Sequence, residues 1–306
     1  MIRILLILIC LTSFISSFAC INEYRTLLSG KVIETDPTNG KIWTKEIDTT
    51  ELRLKADNLF IAYENSGSLE SFSDYGAALI YLGELQKAKS IYEKIETESP
   101  NLYSTASNLG TIYELIGKPD SALTWIKKSI ELNPKSHKGS EWIHIKILEF
   151  KISGSNDYEK SILGLDFGIK SIPSNPNSYE LEQLQSHIWH QLRERSNFVK
   201  PKNRIVGNIY FDLGNIIAQT RDVQAALESF EAAKEYGFES ELMHQRNKEF
   251  EILALKAKPS QLKEDTKDFI RDNFKVLFWS GLATVLFAII LFITRIVKRR
   301  NKRTKG

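Results

Sequence analysis

A 34-residue repeat in the middle of the chain constrains its fold more than any other feature. Residues 108–134 and the residues 34 positions earlier share two glycines, an alanine and a proline, and they match at one large apolar position. The pairs are Gly110 with Gly76, Gly117 with Gly83, Ala122 with Ala88, Ile126 with Tyr92, and Pro134 with Pro100. Such a unit buries only part of its apolar surface alone, so it must stack on neighbouring units.

Each copy has the pattern of two short helices, A and B, joined by a tight turn. In the second copy, helix A carries an apolar stripe of Leu109, Ile112, Tyr113 and Ile116, and helix B carries one of Leu123, Ile126 and Ile130. Gly110 leaves room for helix B to approach, and Gly117 permits the turn. Asp120 is expected to cap helix B by accepting backbone hydrogen bonds.

These positions resemble the tetratricopeptide repeat family. Its pattern is a small residue in helix A, a glycine at the turn, an alanine and a large apolar residue in helix B, and a closing proline. The resemblance implies an all-α, tetratricopeptide-like helical-repeat solenoid, an α-α superhelix, whose concave face binds a protein partner. In overall plan the chain also resembles uncharacterised bacterial envelope proteins with a signal peptide, a helical repeat domain and a C-terminal membrane anchor. That likeness implies no activity.

Less regular copies are expected on both sides of the two good ones, giving a repeat domain over residues 51–258. A helix from Glu51 precedes the first copy, and residues 20–50 are predicted to be loop or short strands. A third helix A starts at Glu141, and its helix B is expected over residues 158–172. A further helix over residues 179–195, a late copy over residues 209–237 and a terminal helix over residues 240–258 complete the domain.

The first hydrophobic segment is at the N-terminus. Residues 1–19 carry an early cation, Arg3, and then sixteen residues without a charge, which is typical of a secretory signal peptide. Cleavage is expected before Cys20, with an uncleaved anchor as the alternative. The sequence around Cys20 resembles a bacterial lipobox in its Ala19-Cys20 pair but departs from it at Ser17 and Phe18, so lipidation and plain cleavage both stay open. Because Cys10 lies inside the signal, the mature chain cannot close an internal disulfide.

The second hydrophobic segment, residues 276–294, has nineteen residues without a charge and is long enough to span a membrane. Its alternative is a buried core helix. The tail of residues 295–306 holds seven cations and no acid, whereas residues 263–275 hold four of each sign. The positive-inside rule therefore predicts a single-pass protein of the cell membrane with a cytoplasmic tail. The repeat domain and a juxtamembrane helix over residues 259–275 then face outward, into the periplasm if the cell is Gram-negative.

The charge balance gives no evidence for nucleic-acid binding by the folded part, and no nucleic-acid partner is predicted. Removing Arg3 and the seven tail cations from the net charge of +3 leaves −5 for the rest of the chain. The pI of about 8.6 therefore reflects the tail and not the repeat domain. A local basic segment from Arg193 to Arg204 is interpreted as a solvated linker, and it is the second candidate for a partner surface.

The concave face is the predicted binding surface, because its lining is mostly small and polar. Such a lining suits an extended peptide or a partner helix better than a phosphate or a charged polymer. The predicted groove residues are Ser104, Ser107, Asn108, Thr111, Glu114, Lys138, Glu141 and Ile145. The alternative is a groove filled by the chain itself, through residues 201–206 or capping helices. The carboxylate clamp of some tetratricopeptide repeats is not expected, because only Asn108 and Lys138 match two of its five positions.

The histidines raise a metal-site hypothesis. Pairs with helical spacing occur at Glu141 and His144, at His187 and His190, and at Glu241 and His244. Because the pairs lie on separate helices of a solenoid, they are not expected to meet, and no metal or cofactor is predicted. No nucleophile elbow, phosphate loop or paired-carboxylate site is recognisable, so no enzyme activity is predicted.

The sequence therefore predicts a membrane-anchored scaffold that binds a peptide or helix of another protein outside the cytoplasm. Two alternatives stay open: a metal-dependent enzyme built on the histidines, and a receptor-like transmembrane subunit.

Overall fold

The computed structural model describes residues 23–35, 48–199 and 202–257, together with residues 267, 271 and 274. The predicted signal peptide, Cys20, the segment of residues 276–294 and the basic tail lie outside the described residues, as does nearly all of residues 259–275. Among the described residues, no helix combines the length and the apolar character that a membrane crossing requires. The chain divides into two units, Met1–Ala254 and Leu255–Gly306, and the first contains all the elements below.

Within its described part, this first unit is a short β-hairpin followed by ten α-helices. The strands β1 (Glu23–Thr26) and β2 (Val32–Thr35) pair antiparallel, with Glu23 opposite Thr35. The helices are α1 (Thr49–Ser66), α2 (Leu69–Tyr81), α3 (Leu85–Glu98), α4 (Tyr103–Leu115), α5 (Pro119–Leu132), α6 (Glu141–Ser153), α7 (Leu181–Phe198), α8 (Arg204–Thr220), α9 (Val223–Glu235) and α10 (Glu241–Ala254). A 3-10 turn, Ser136–Gly139, connects α5 to α6. The all-α helical-repeat fold is therefore confirmed.

The repeat glycines do what their positions predict. A Cβ atom on Gly110 of α4 would lie 2.5 Å from Cδ1 of Ile126 in α5, and one on Gly76 of α2 would lie 2.8 Å from Cε2 of Tyr92 in α3. These distances are too short for a real side chain, so both helix pairs need a glycine at the contact. Gly110 thus faces Ile126 in the second copy as Gly76 faces Tyr92 in the first, and the two pairs lie 34 positions apart in the sequence.

The turn between helices A and B also follows the prediction. Gly83 and Gly117 have φ angles of +77° and +75°, in the left-handed region that favours glycine. The expected cap at Asp120 is wrong, because α5 begins at Pro119 and Asp120 lies inside its first turn. A proline at the first helical position needs no backbone donor, and an acid in the first turn interacts favourably with the helix dipole.

The predicted helix B of the third copy, over residues 158–172, is wrong. Residues 155–180 have no regular secondary structure, and Gly164 and Gly168 have φ angles of +75° and +74°. In a helix, the backbone carbonyls of this segment would accept hydrogen bonds from the segment itself. Here several of them accept hydrogen bonds from two side chains of later helices. Asn208 of α8 donates to the carbonyls of Tyr158 and Lys160, and the buried Arg246 of α10 donates to those of Phe167, Gly168 and Lys170. The irregular segment is therefore a fixed part of the fold.

The core has two main apolar clusters. One joins α1 to α4 and includes Phe72, Leu79, Tyr92 and Leu109. The other joins α6 to α10 and the irregular segment, and Ile188 and Leu192 of α7 are fully buried in it. Helix α7 is thus attached by its apolar face to the second cluster, which leaves its polar face to meet the repeats.

Candidate functional site

Helix α7 lies against the inward-facing side of the repeat helices, and its polar face makes the contact. Trp142 Nε1 of α6 donates to His187 Nδ1 over 3.1 Å, and Gln191 Nε2 donates to Ser140 Oγ over 3.1 Å. Arg195 reaches further, to Glu114 of α4. The chain itself therefore occupies part of the predicted groove, through α7 rather than through residues 201–206.

A cavity of about 180 Å³ remains between α7 and the repeat helices. Five elements form its wall: α2, α4, the 3-10 turn, α6 and α7. The lining residues are Ala77, Ile80, Tyr81, Ser107, Asn108, Thr111, His137, Glu141, His144, Gln191, Glu194 and Arg195.

The predicted groove residues fall into two groups. Ser107, Asn108, Thr111 and Glu141 line this cavity. The others do not line it: Ser104 is exposed near the start of α4, Lys138 is exposed in the 3-10 turn, Glu114 is buried, and Ile145 packs against the cluster of Ala122, Ile126 and Leu148.

The buried carboxylate of Glu114 is the centre of a polar network beside the cavity. Arg195 donates to both of its oxygens, over 2.9 and 3.1 Å, and Lys151 Nζ donates over 2.7 Å. His144 Nε2 lies 2.6 Å from Oε2. Burial alone would raise the pKa of Glu114, but Arg195, His144 and Lys151 outweigh it and hold the pKa well below its ordinary value. Glu114 is therefore ionised and fully paired.

A second carboxylate, Glu141, extends this network to the cavity mouth. Its Oε1 contacts His137 Nδ1, and its Oε2 lies 3.6 Å from His144 Nδ1. Burial opposes ionisation, yet hydrogen bonds with His137 and His144 lower the pKa of Glu141. The same hydrogen bond raises the pKa of His137. Glu141 and His144 thus belong to an internal chain of polar contacts that leads to Glu114, and no group of three potential metal ligands occurs among the described residues.

The two histidines of α7 face this network from the opposite side. His187 accepts the Trp142 hydrogen bond, and the ring of His190 lies 5.0 Å from the ring of His137. Burial lowers the pKa of His187 and of His190. The remaining candidate, His244 of α10, is exposed and lies 3.9 Å from Glu239.

The rest of the cavity wall combines apolar side chains of α2, Ala77 and Ile80, with neutral hydrogen-bonding groups of α4 and α7. Ser107, Asn108 and Thr111 line the cavity from about one turn of α4, and Gln191 lines it from α7. Asn108 Nδ2 donates to the Tyr92 hydroxyl over 2.7 Å, which leaves its amide oxygen as an acceptor. Such a wall can form hydrogen bonds with a polar segment without introducing an unpaired charge.

The sequence did not identify the contribution of α7. Arg195 belongs to the segment interpreted as a solvated linker, but it is only 2% exposed, so that interpretation is wrong for this residue. Its partner Glu114 is 81 residues away, and no local pattern links the two positions. The one available signal was the position of Arg195 at the end of a helix whose other residues, Ile188 and Leu192, repeat with apolar spacing.

Comparison with protein families identifies one segment. Residues 103–136, which contain α4 and α5, match the family model described as tetratricopeptide repeat. This match confirms the resemblance for the second copy, and a repeat of this kind supports binding of a protein partner. No curated protein matches the chain.

Solved structures that are similar to the chain include a MamA RS-1 ArsTM double mutant, with 15% identity and a TM-score of 0.30 over 63% of this chain and 97% of that one. A tetratricopeptide repeat protein from Parabacteroides merdae has 13% identity and a TM-score of 0.33 over 66% and 93%. The APC/C hetero-tetramer Cut9-Hcn1 has 10% identity and a TM-score of 0.35 over 67% of this chain and 40% of that one. The chain thus carries, at residues 103–136, a segment that matches the tetratricopeptide repeat within an all-α helical-repeat unit.

Proposed function

We propose that the protein is a scaffold that binds a segment of another protein at the cavity between α2, α4, α6 and α7. The observation that carries this proposal is the cavity itself, a recess of about 180 Å³ in the inward-facing side of the helical repeat. Its wall presents hydroxyl and amide groups, and buried ion pairs hold together the helices that carry them. Pre-formed concave sites with a few well-placed polar groups are the usual form of a binding site.

The size of the cavity limits what the partner inserts. A cavity of about 180 Å³ can hold one inserted side chain but not a partner helix. A whole partner helix would need the part of the groove that α7 occupies. The partner is therefore a peptide segment that places one polar side chain in the cavity and lies over its rim at Tyr81, His137 and Glu194.

The membrane part of the proposal rests on the ends of the sequence. Residues 1–19 have the pattern of a signal peptide, and residues 276–294 have the length and composition of a membrane-spanning helix followed by seven cations. In this proposal the scaffold faces the outside of the cell membrane and meets its partner there.

Site-specific photocrosslinking tests the binding surface. Tyr81 of α2 lines the cavity and is 37% exposed, whereas Thr124 of α5 is exposed and does not line it. A photoreactive p-benzoylphenylalanine in place of the Tyr81 ring should yield one dominant crosslinked band in intact membranes, and the same residue at Thr124 should not. The partner in that band must then bind the purified protein directly. Equal bands from both positions, or none from Tyr81, would contradict a partner at the cavity.

A further inference from the structure

We propose that protonation of His187 and His190 loosens the contact of α7 with the repeats and opens the cavity, so that access to it increases in mild acid. The role of this gate in partner binding rests on the proposed function above. The gate itself rests only on contacts between described residues, and it is testable without a partner.

The first contact requires a neutral imidazole. Trp142 Nε1 is a donor only, so the ring nitrogen that accepts from it, His187 Nδ1, must carry no proton. A protonated imidazole has N–H groups at both positions, so protonation replaces this hydrogen bond with two opposed donors. Burial disfavours the charged form of His187, and a backbone hydrogen bond with Lys138 acts in the other direction.

The second contact disfavours a cation for a different reason. The ring of His190 is 5.0 Å from that of His137, and its Nε2 is buried with no hydrogen-bond partner among the described residues. The hydrogen bond with Glu141 raises the pKa of His137, so a protonated His190 would lie against a ring that itself favours the cationic form. Of the other charges that act on His190, Arg193 and Lys138 add repulsion, whereas Glu194 opposes it.

The sign of the pH dependence follows from these contacts. The separated form of α7 takes up protons at the ordinary histidine pKa of about 6.5, and the docked form does so only at lower pH. Docking is therefore strongest above this value, and it weakens as pH falls toward the lowered values. The pair of His137 and Glu141 behaves oppositely, since its contribution is retained in acid and lost as pH rises through the raised pKa of His137. Acid thus favours the cationic form of His137 on the repeat side while it protonates His187 and His190 on α7.

The movement is local, because two anchors of α7 do not titrate in this range. Ile188 and Leu192 are fully buried in the second core cluster. Arg195 stays bound to Glu114, whose carboxylate remains ionised. The part that separates is the face of α7 carrying His187 and His190, next to Gln191 on the cavity wall.

Thiol accessibility measures the opening. Ser107 lines the cavity and is 8% exposed, whereas Ser104 is exposed on the same helix. In the full chain with Cys10→Ser and Cys20→Ser, the labelling rate of Ser107→Cys by a methanethiosulfonate reagent is divided by that of Ser104→Cys at the same pH. This ratio cancels the pH dependence of the reagent.

The ratio should rise when the pH falls from about 7.5 to about 5.5 across the ordinary histidine pKa. It should stay flat when His187→Gln and His190→Gln are present, because glutamine cannot titrate, and it should rise as in wild type with His244→Gln as the control. If circular dichroism shows that the double variant is unfolded, each single variant should reduce the rise. A flat ratio in the unmodified background, or an unchanged rise in the glutamine variants, overturns the gate and leaves the proposed partner site to its own crosslinking test.

Discussion

The network around Glu114 allows a sharp test of how the candidate site is held together. Glu114→Gln keeps the shape of the side chain and removes the charge that pairs with Arg195, Lys151 and His144. Both Glu114 and Arg195 are almost fully buried, with side-chain exposures of 1% and 3%. Breaking a buried ion pair by removing one partner costs about 3–5 kcal/mol, because the other charge stays buried without compensation.

The expected effect on unfolding is large. For a domain of this size, a loss of 1 kcal/mol lowers the melting temperature by about 2–4 °C, so Glu114→Gln should lower it by about 6–20 °C. Urea titration followed by circular dichroism gives the free energy directly. The control is Glu93→Gln, since Glu93 is 45% exposed and pairs with Lys89 at the surface, where the change should stay within about 0.5 kcal/mol.

A second variant separates loss of charge from loss of packing. Adding Arg195→Met to Glu114→Gln removes the uncompensated cation, so the double variant should recover part of the lost stability. The lowered pKa of Glu114 also implies a contribution that is complete above the ordinary pKa of 4.5 and is lost as pH falls through the lowered value. If Glu114→Gln loses less than about 1 kcal/mol, or if the double variant loses the sum of both single losses, the network does not support the site.

Three further predictions concern other parts of the chain. Gly110→Ala should lower the free energy of unfolding in urea by about 1–3 kcal/mol through overpacking against α5, and an unchanged value would contradict the close helix contact. At Gly117, where φ is +75° and the space is open, alanine should cost about 1–2 kcal/mol and asparagine less. Burial raises the pKa of Asp212 to about 7, so its contribution to stability falls as pH rises from 3.8 to about 7; Asp212→Asn should flatten this dependence, and an unchanged pH profile would contradict the assignment. Alkaline phosphatase fused after Lys258 should be active and one fused after Lys302 inactive, because seven cations resist translocation; the opposite activities would overturn the predicted topology.

The helix pairs could be predicted because their determinants lie close together in the sequence. Gly110 and Ile126 are 16 residues apart, and the same pair recurs as Gly76 and Tyr92, so one period specifies both the turn and the contact behind it. Local patterns of this kind carry the physics of a helix pair: a small residue where the helices touch and a residue tolerant of positive φ at the turn.

Helix A of the third copy was predicted to start at Glu141 and does so. Its helix B could not be predicted, because the conformation of residues 158–172 depends on side chains far along the chain. Apolar residues over residues 158–172 have helical spacing, but Arg246 donates to backbone carbonyls 76 to 79 residues earlier. Gly164 and Gly168 were the one sequence signal against this helix, because two glycines four residues apart weaken a helix. Tertiary hydrogen bonds thus override a helical pattern.

The candidate site could be predicted only on the repeat side. Ser107, Asn108, Thr111 and Glu141 follow from the inward-facing positions of helices A, and they line the cavity. The opposite wall comes from α7, whose placement depends on pairing between Glu114 and Arg195. Glu114 corresponds to Ile80 in the preceding copy, so the 34-residue pattern does not predict this pairing.

The central claim is that a partner segment enters the cavity, and the affinity of two arginine variants tests it most directly. Thr111→Arg fills the cavity from its wall, whereas Thr124→Arg places the same side chain on the exposed surface of α5. With the partner identified by crosslinking, titration calorimetry should show binding lost in Thr111→Arg and retained in Thr124→Arg, with helical content unchanged in both. Equal affinity of Thr111→Arg and wild type would contradict the account, because a filled cavity could not then be the binding site.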